Sequence, residues 1–166
     1  MMDLENRVVV ISNNIRFRDR LNDSRVIPEG KVLPGDIGLF EVLSDEGGYI
    51  EQLDLAGQQI RINKGDYVIG VFGIRQSGTN ISGGIPTAGI NSGKGDTFQI
   101  LSSSTIVGYA RRVPEHIGEN PIDLRLEGIL SLDRNPLNIA ELTPYTPFNQ
   151  YKGKTVFIVS HGDPTA

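Results

Sequence analysis

The chain has 166 residues, a length typical of one domain, and its net charge is −4 at neutral pH. It has no cysteine, which excludes a disulfide framework, a cysteine-ligated zinc site and a thiol nucleophile. The acidic balance argues against a dedicated nucleic-acid binder, because phosphate contacts favour a basic stripe. With 20 glycines and 9 prolines, the composition favours many short strands joined by turns.

Apolar runs and alternating segments predict a series of strands along the chain. A continuous β-branched run predicts a buried strand over 8–11, and the segment 15–23 then fits either one or two turns of helix or an extended arm. Further strands are predicted over 37–43, 49–55, 59–62, 67–72, 96–101, 105–113, 124–130 and 155–159. Asn135 as a cap and Pro136 at the first helical position predict a short helix over 136–142.

These elements predict a mainly β fold, a small closed or partly open β-barrel of about seven to nine short strands with one or two short helices. Residues 1–150 would form the barrel domain and its C-terminal connector, which is rich in proline and asparagine from about residue 131 to residue 151. Residues 151–166 would form a strand and a tail, as at the start of an α/β domain that is not present.

Three Gly-Asp pairs stand 30 residues apart, at Gly35-Asp36, Gly65-Asp66 and Gly95-Asp96. Glycine can adopt the positive φ that a sharp turn needs, and the aspartate carboxylate can accept backbone N–H groups freed by that turn. We therefore expect these aspartates to pin turns at strand entries, rather than to bind metal or act as paired acid and base.

The Gly-Asp segments resemble the GD box of cradle-loop β-barrels, a group that includes double-psi and swapped-hairpin barrels. The matching segments are 33–37 and 63–67; 93–97 departs from them because Thr97 is not apolar. The resemblance covers roughly residues 31 to 113 and implies a barrel, with a generic β-sandwich as the other fold that fits the pattern.

The segment 75–94 is rich in glycine, serine, asparagine and proline, which predicts a long loop that is either mobile or functional. If it folds over a polar small molecule, five residues supply the contacts: Arg75, Ser77, Thr79, Asn80 and Lys94. Residues 89–94 contain part of a Walker A motif. The glycines are one residue too close, however, and Lys94 precedes a glycine and a predicted strand instead of Ser or Thr and a helix.

The C-terminal segment suggests a nucleotide-binding neighbour. The predicted strand over 155–159 leads to Gly162 and Thr165, where a phosphate-binding loop would begin if the chain were cut from a longer protein. Gly162 and Thr165 are therefore expected to contribute to cofactor binding, with the nucleotide itself held by a domain that follows. A native tail after a last barrel strand is the alternative.

No combination of residues predicts catalysis or a metal site in this chain. The histidines are His116 and His161, and neither has a histidine or cysteine partner at ligand spacing. A serine triad built on Ser102, Ser103 or Ser104 with His116 lacks the glycines of a nucleophile elbow.

Three functions remain open from the sequence. The first is a non-catalytic accessory or assembly module of a larger, nucleotide-binding protein, with its own downstream domain or a second copy as partner and no cofactor of its own. The second is a small-molecule-binding or enzymatic barrel that uses the loop 75–94. The third is a nucleic-acid-binding barrel of the swapped-hairpin type that uses Arg16, Arg18 and Arg20. The absence of cysteine and of a secretory signal predicts a cytoplasmic protein with no membrane partner.

Overall fold

The structure of the chain is a computed structural model that describes residues 8–16, 18–117 and 120–142. Within these residues the chain is mainly β, as predicted, but it has fourteen strands, more than predicted. The strands are β1 Val8–Ile11, β2 Arg25–Ile27, β3 Glu29–Val32, β4 Ile37–Val42, β5 Glu51–Leu53, β6 Gln59–Arg61, β7 Tyr67–Phe72, β8 Ile74–Arg75, β9 Ser82–Gly84, β10 Ile90–Gly93, β11 Thr97–Ile100, β12 Ile106–Arg112, β13 Asp123–Leu132 and β14 Asn135–Pro136.

The strands that the sequence did not predict are short, with two to four residues each. They are β2, β3, β8, β9, β10 and β14. Segments this short contain too few residues to show the alternation of apolar and polar side chains by which a strand is recognised in a sequence.

The helices are short. α1 spans Asp19–Asn22, and 3₁₀ turns span Glu115–Ile117 and Ile139–Leu142. The helix predicted from residue 136 is wrong at its start, because Asn135–Pro136 pairs with β13 after a tight turn in which Asp133 and Arg134 have φ of 49° and 69°. In the part of the chain that the structure describes, helices fall short of the length and apolarity that crossing a membrane requires.

Five strands close a ring within the largest sheet. The hydrogen-bonded order is β7, β4, β13, β11 and β12, and β12 returns to β7 through a parallel pairing of Ile106 with Val71 and Val107 with Phe72. β1 pairs with the first half of the same edge of β7, where Val10 lies opposite Val68. The described part of the chain is thus mainly β, and its largest sheet is closed in part.

Side chains alternate between two apolar clusters because successive residues of a strand point to opposite faces. The inner cluster has members on all five ring strands and is centred on Phe40, Phe72 and Phe98, whose rings meet edge to face with centroids 5.2 to 6.2 Å apart. The outer cluster takes the other face of β4, β7 and β13 and is covered by the segments at both ends of the described chain. Leu137 and Leu142, from the predicted connector, are buried in it.

The three Gly-Asp pairs form the same hydrogen-bonded turn, as the sequence indicated. In each turn the aspartate carboxylate accepts the backbone N–H of the residue three positions earlier, at N···O distances of 2.7 Å for Asp36, 2.8 Å for Asp66 and 2.9 Å for Asp96. The three glycines have φ of 98°, 89° and 100°, which only glycine adopts without strain.

Each turn also joins a neighbouring strand by two backbone bonds. The N–H of Gly35 donates to the carbonyl of Phe72 at 2.6 Å, and the N–H of Phe72 donates to the carbonyl of Asp36 at 2.8 Å. The second and third turns make the equivalent pairs of bonds with Val42 and Leu126, all at 2.8 Å. The Gly-Asp turns therefore set the entry of β4, β7 and β11 into the ring.

Candidate functional site

The segment 75–94 is more ordered than its composition predicts. β8 begins it, β9 lies between β8 and β12, and β10 pairs with β3. The hairpin between β8 and β9, residues 76–81, places its tip above the 3₁₀ turn Glu115–Ile117, and Gly78 and Thr79 line a cleft there. Because these strands fix the segment, the contacts of its polar side chains show whether those groups are available to a ligand.

Two of the predicted ligand groups, Arg75 and Asn80, meet at the side chain of Tyr49. The Arg75 Nη1 donates to the Tyr49 hydroxyl at 3.0 Å and also to the carbonyl of Leu101, and its guanidinium carbon lies 5.2 Å from the Tyr49 ring centroid. The Tyr49 hydroxyl donates to the Asn80 Oδ1 at 3.2 Å. These contacts join the hairpin to the segment that precedes β5.

Ser77 and Thr79 form the tip of the hairpin. The Ser77 Oγ accepts the backbone N–H of Asn80 at 3.0 Å and that of Thr79 at 3.3 Å, which closes a serine-initiated turn. The Ser77 hydroxyl therefore holds the local backbone, while Thr79 faces the cleft.

Tyr49 and Thr105 are two residues with backbone φ angles that L-residues rarely adopt. Tyr49 has a φ of 66° and Thr105 has a φ of 53°. A bulky or β-branched residue in this region is an outlier that costs roughly 1–3 kcal/mol. The surrounding contacts must therefore hold both residues in place.

Gln52 links these two strained residues from a fully buried position in β5. Its Nε2 donates to the Tyr49 carbonyl at 2.6 Å, and its Oε1 accepts the Thr105 hydroxyl at 2.7 Å. We call the connected set Tyr49, Gln52, Arg75, Asn80 and Thr105 the Tyr49 network. The sequence placed Tyr49 and Gln52 in a predicted strand over 49–55, and no motif marked either as special.

A surface cleft of about 600 Å³ lies beside the network, under the hairpin tip. Gly78 and Thr79 line one side, and residues 112–116 line the other, among them Arg112, Glu115 and His116. The cleft thus offers two basic side chains, one carboxylate and one hydroxyl. His116 is solvent-exposed within the 3₁₀ turn Glu115–Ile117.

Lys94 lies apart from the other candidate ligand residues. Its Nζ is 2.8 Å from the Glu127 Oε2, and Glu127 also meets the Arg125 Nε at 3.3 Å. Hydrogen bonding to Glu127 and that residue's charge raise the pKa of Lys94. The structure therefore brings Arg75, Ser77, Thr79 and Asn80 into one hairpin. It leaves Lys94, just after β10, in an ion-pair group with Glu127 and Arg125 of β13.

The other residues that the sequence singled out are dispersed. Arg16 and Arg20 are exposed, whereas Arg18 is half-buried and donates to the Ile11 carbonyl at 3.3 Å, so the three arginines do not form one basic face. Ser102 accepts the Ser104 N–H at 3.2 Å, a local turn bond. Across the described ranges, three or more histidine, aspartate or glutamate side chains do not gather into a group that could hold a metal ion.

The predicted C-terminal residues Gly162, Thr165 and His161, and the predicted strand over 155–159, lie outside the described residues. Comparison with protein-family models, with curated proteins and with solved structures finds no match to this chain. The resemblance to cradle-loop barrels therefore stays a prediction from the Gly-Asp segments.

Proposed function

We propose that this chain is a non-catalytic β module that serves in assembly. The observation that carries the proposal is that the polar groups expected to contact a ligand are bound to the chain itself. Arg75 and Asn80 bind Tyr49, Ser77 holds its own turn, and Lys94 pairs with Glu127. The Gly-Asp carboxylates likewise bind backbone N–H groups.

An exposed apolar strip near the hairpin supplies a contact surface for such a module. Ile74 and Tyr109 both pair with Gly84, so they share one face of β8, β9 and β12. They are 42% and 41% exposed. We call Ile74 and Tyr109 the apolar strip.

The surroundings of the apolar strip suit a protein interface. Tyr109 stacks on the buried Phe98 with ring centroids 5.1 Å apart, so the exposed ring is held in a fixed position. Arg111 and Arg112 are exposed beside it and form a polar rim. Rigid aromatic anchors with arginine at the edge are typical of interfaces. The partner that we propose for this surface is a second copy of the chain.

Sedimentation equilibrium of the 166-residue chain over a concentration series tests this proposal. We expect self-association that Ile74→Asp weakens by about tenfold or more, because a charge placed in an apolar contact must be desolvated. Leu55→Asp is the matched control, since Leu55 is 47% exposed in the turn between β5 and β6, away from the strip. A chain that stays monomeric, or association that both variants weaken equally, would contradict the proposal.

The link to a nucleotide-binding domain stays a prediction from the sequence. It adds one check on the non-catalytic part of the proposal. The purified chain, incubated with magnesium and ATP or GTP, should release no phosphate above a buffer control. Phosphate release would overturn that part of the proposal if the hydrolytic activity co-purifies with the chain.

A second candidate function is the binding of a small anion in the cleft under the hairpin tip. The observation that favours it is that Arg112, His116 and Thr79 line one cleft of about 600 Å³, a volume within the usual range of ligand sites. Titration with inorganic phosphate, followed by NMR, should shift the backbone signals of residues 78–79 and 112–116 together. Arg112→Gln should remove that response, and Arg111→Gln, its exposed neighbour, should retain it.

A further inference from the structure

The outer face of the sheet contains a second, more apolar cleft. Its volume is about 270 Å³, and it lies between β1, α1 and the outward face of β7 and β13. Its apolar lining comes from Val8, Ile11, Leu21, Ile69 and Leu130. These residues belong to the outer cluster or pack against it, so the cleft is a gap in the cover of that cluster.

One cationic side chain enters this apolar lining. Arg18, which precedes α1, lines the cleft, and its Nη2 donates to the Ile11 carbonyl at 3.3 Å. Its Nε is the only buried side-chain nitrogen or oxygen, among the residues the structure describes, that has no hydrogen-bond partner. Buried polar atoms are almost always paired, so the described part of the chain leaves the Arg18 guanidinium incompletely hydrogen-bonded.

The positive charge of Arg18 indicates which kind of hydrogen-bond acceptor would suit it. A guanidinium stays protonated in proteins, so burial cannot neutralise it and an anion is its natural partner. Burial lowers the pKa of Arg18, and the charge of Asp54 acts in the opposite direction. Ion pairs within 4.0 Å in the described chain involve Lys94 and Arg125, and Arg18 is in none of them.

We propose that this cleft binds a small molecule with an apolar chain and a terminal carboxylate. The apolar chain of the ligand would lie against Ile69 and Leu130, and its carboxylate would pair with the Arg18 guanidinium. A mostly apolar cleft with a few polar groups, here Arg18 and Asn22, is the usual form of a small-ligand site, and this volume lies just below the usual range. The site is separate from the apolar strip, so it can be tested independently of the proposed assembly.

Titration of the full chain with octanoate, followed by isothermal calorimetry and by methyl NMR, tests the proposal. We expect saturable binding that shifts the methyl signals of Ile11, Ile69 and Leu130. Octanol, which has the same chain without the charge, should bind about tenfold to a hundredfold more weakly, because it loses a charge-assisted hydrogen bond. Acetate should not shift these methyl signals.

Two arginine variants separate a specific site from general adsorption. Arg18→Gln should weaken octanoate binding by about tenfold or more. Arg20→Gln should not weaken it, since Arg20 is exposed on α1 and does not line the cleft. Far-UV circular dichroism checks that both variants fold, and the methyl shifts of the unmodified chain test the site without any variant. Failure to saturate, equal binding of octanol, or equal binding by a folded Arg18→Gln variant would overturn the proposal.

Discussion

Replacing Gln52 by leucine should destabilise the fold far more than a typical single substitution in a short strand. Leucine has a similar size and no polar atoms, so the change removes two hydrogen bonds and little packing. The Tyr49 carbonyl loses its 2.6 Å bond and the Thr105 hydroxyl loses its 2.7 Å bond. Gln52 is fully buried, so water does not replace it as a partner.

The expected loss follows from these two groups. A buried polar group left without a partner costs about 1–3 kcal/mol, so two such groups cost roughly 2–6 kcal/mol in the free energy of unfolding. Relaxation of the backbone strain at Tyr49 and Thr105, which Gln52 no longer holds in place, would offset part of this cost.

Urea denaturation followed by far-UV circular dichroism measures the effect. The transition midpoint of Gln52→Leu should fall while the slope of the transition stays unchanged. Gln59→Leu is the matched control, because Gln59 is exposed on β6 and should change stability by less than about 0.5 kcal/mol. If Gln52→Leu behaves like Gln59→Leu, then the Tyr49 network does not hold the strained residues in place.

Two further predictions concern the turns and the alkaline limit of stability. Gly65→Ala should lower the free energy of unfolding by about 1–2 kcal/mol through backbone strain alone, since an added Cβ would meet nothing within 4 Å. Gly35→Ala should lower it further, because its Cβ would lie 2.7 Å from the Asn138 side chain. Equal urea midpoints for the two variants would contradict this prediction. Burial, and secondarily the charge of Asp96, raise the pKa of Tyr109, so the folded state keeps this proton to higher pH than the unfolded state does. The stability that this proton contributes is fully present below pH about 10 and should decline as the pH rises toward the pKa of Tyr109 in the folded state. Tyr109→Phe should show a smaller decline in urea midpoint over this pH range. An identical decline in the two proteins would show that Tyr109 is not the group responsible.

The main strands were predictable because their signals are local. The segments 37–42 and 67–72 are apolar runs with β-branched residues, and the structure has β4 and β7 there. The Gly-Asp turns were predictable for the same reason, since a positive φ and an aspartate that accepts a nearby N–H group depend on a few adjacent residues.

The ring closure and the candidate site were not predictable from one sequence. The pairing of β12 with β7 joins residues about 35 positions apart, and the local sequence of either strand does not indicate which strand it pairs with. Gln52 and Thr105 are likewise 53 positions apart and meet only in the folded state. The segment 75–94 was predicted to be a long loop, whereas it contains β9 and β10. The bonds that Arg75 and Asn80 make depend on Tyr49, which the sequence placed in an ordinary strand.

Hydrogen exchange at increasing protein concentration tests the central claim, that the chain assembles through the apolar strip. Mass spectrometry would follow amide exchange along the full chain at concentrations below and above the association midpoint. We predict that protection rises with concentration in the peptides that contain residues 74–84 and 106–113, and stays constant around Leu55. Protection that is independent of concentration, or that rises on another surface while residues 74–84 stay unchanged, would contradict the claim.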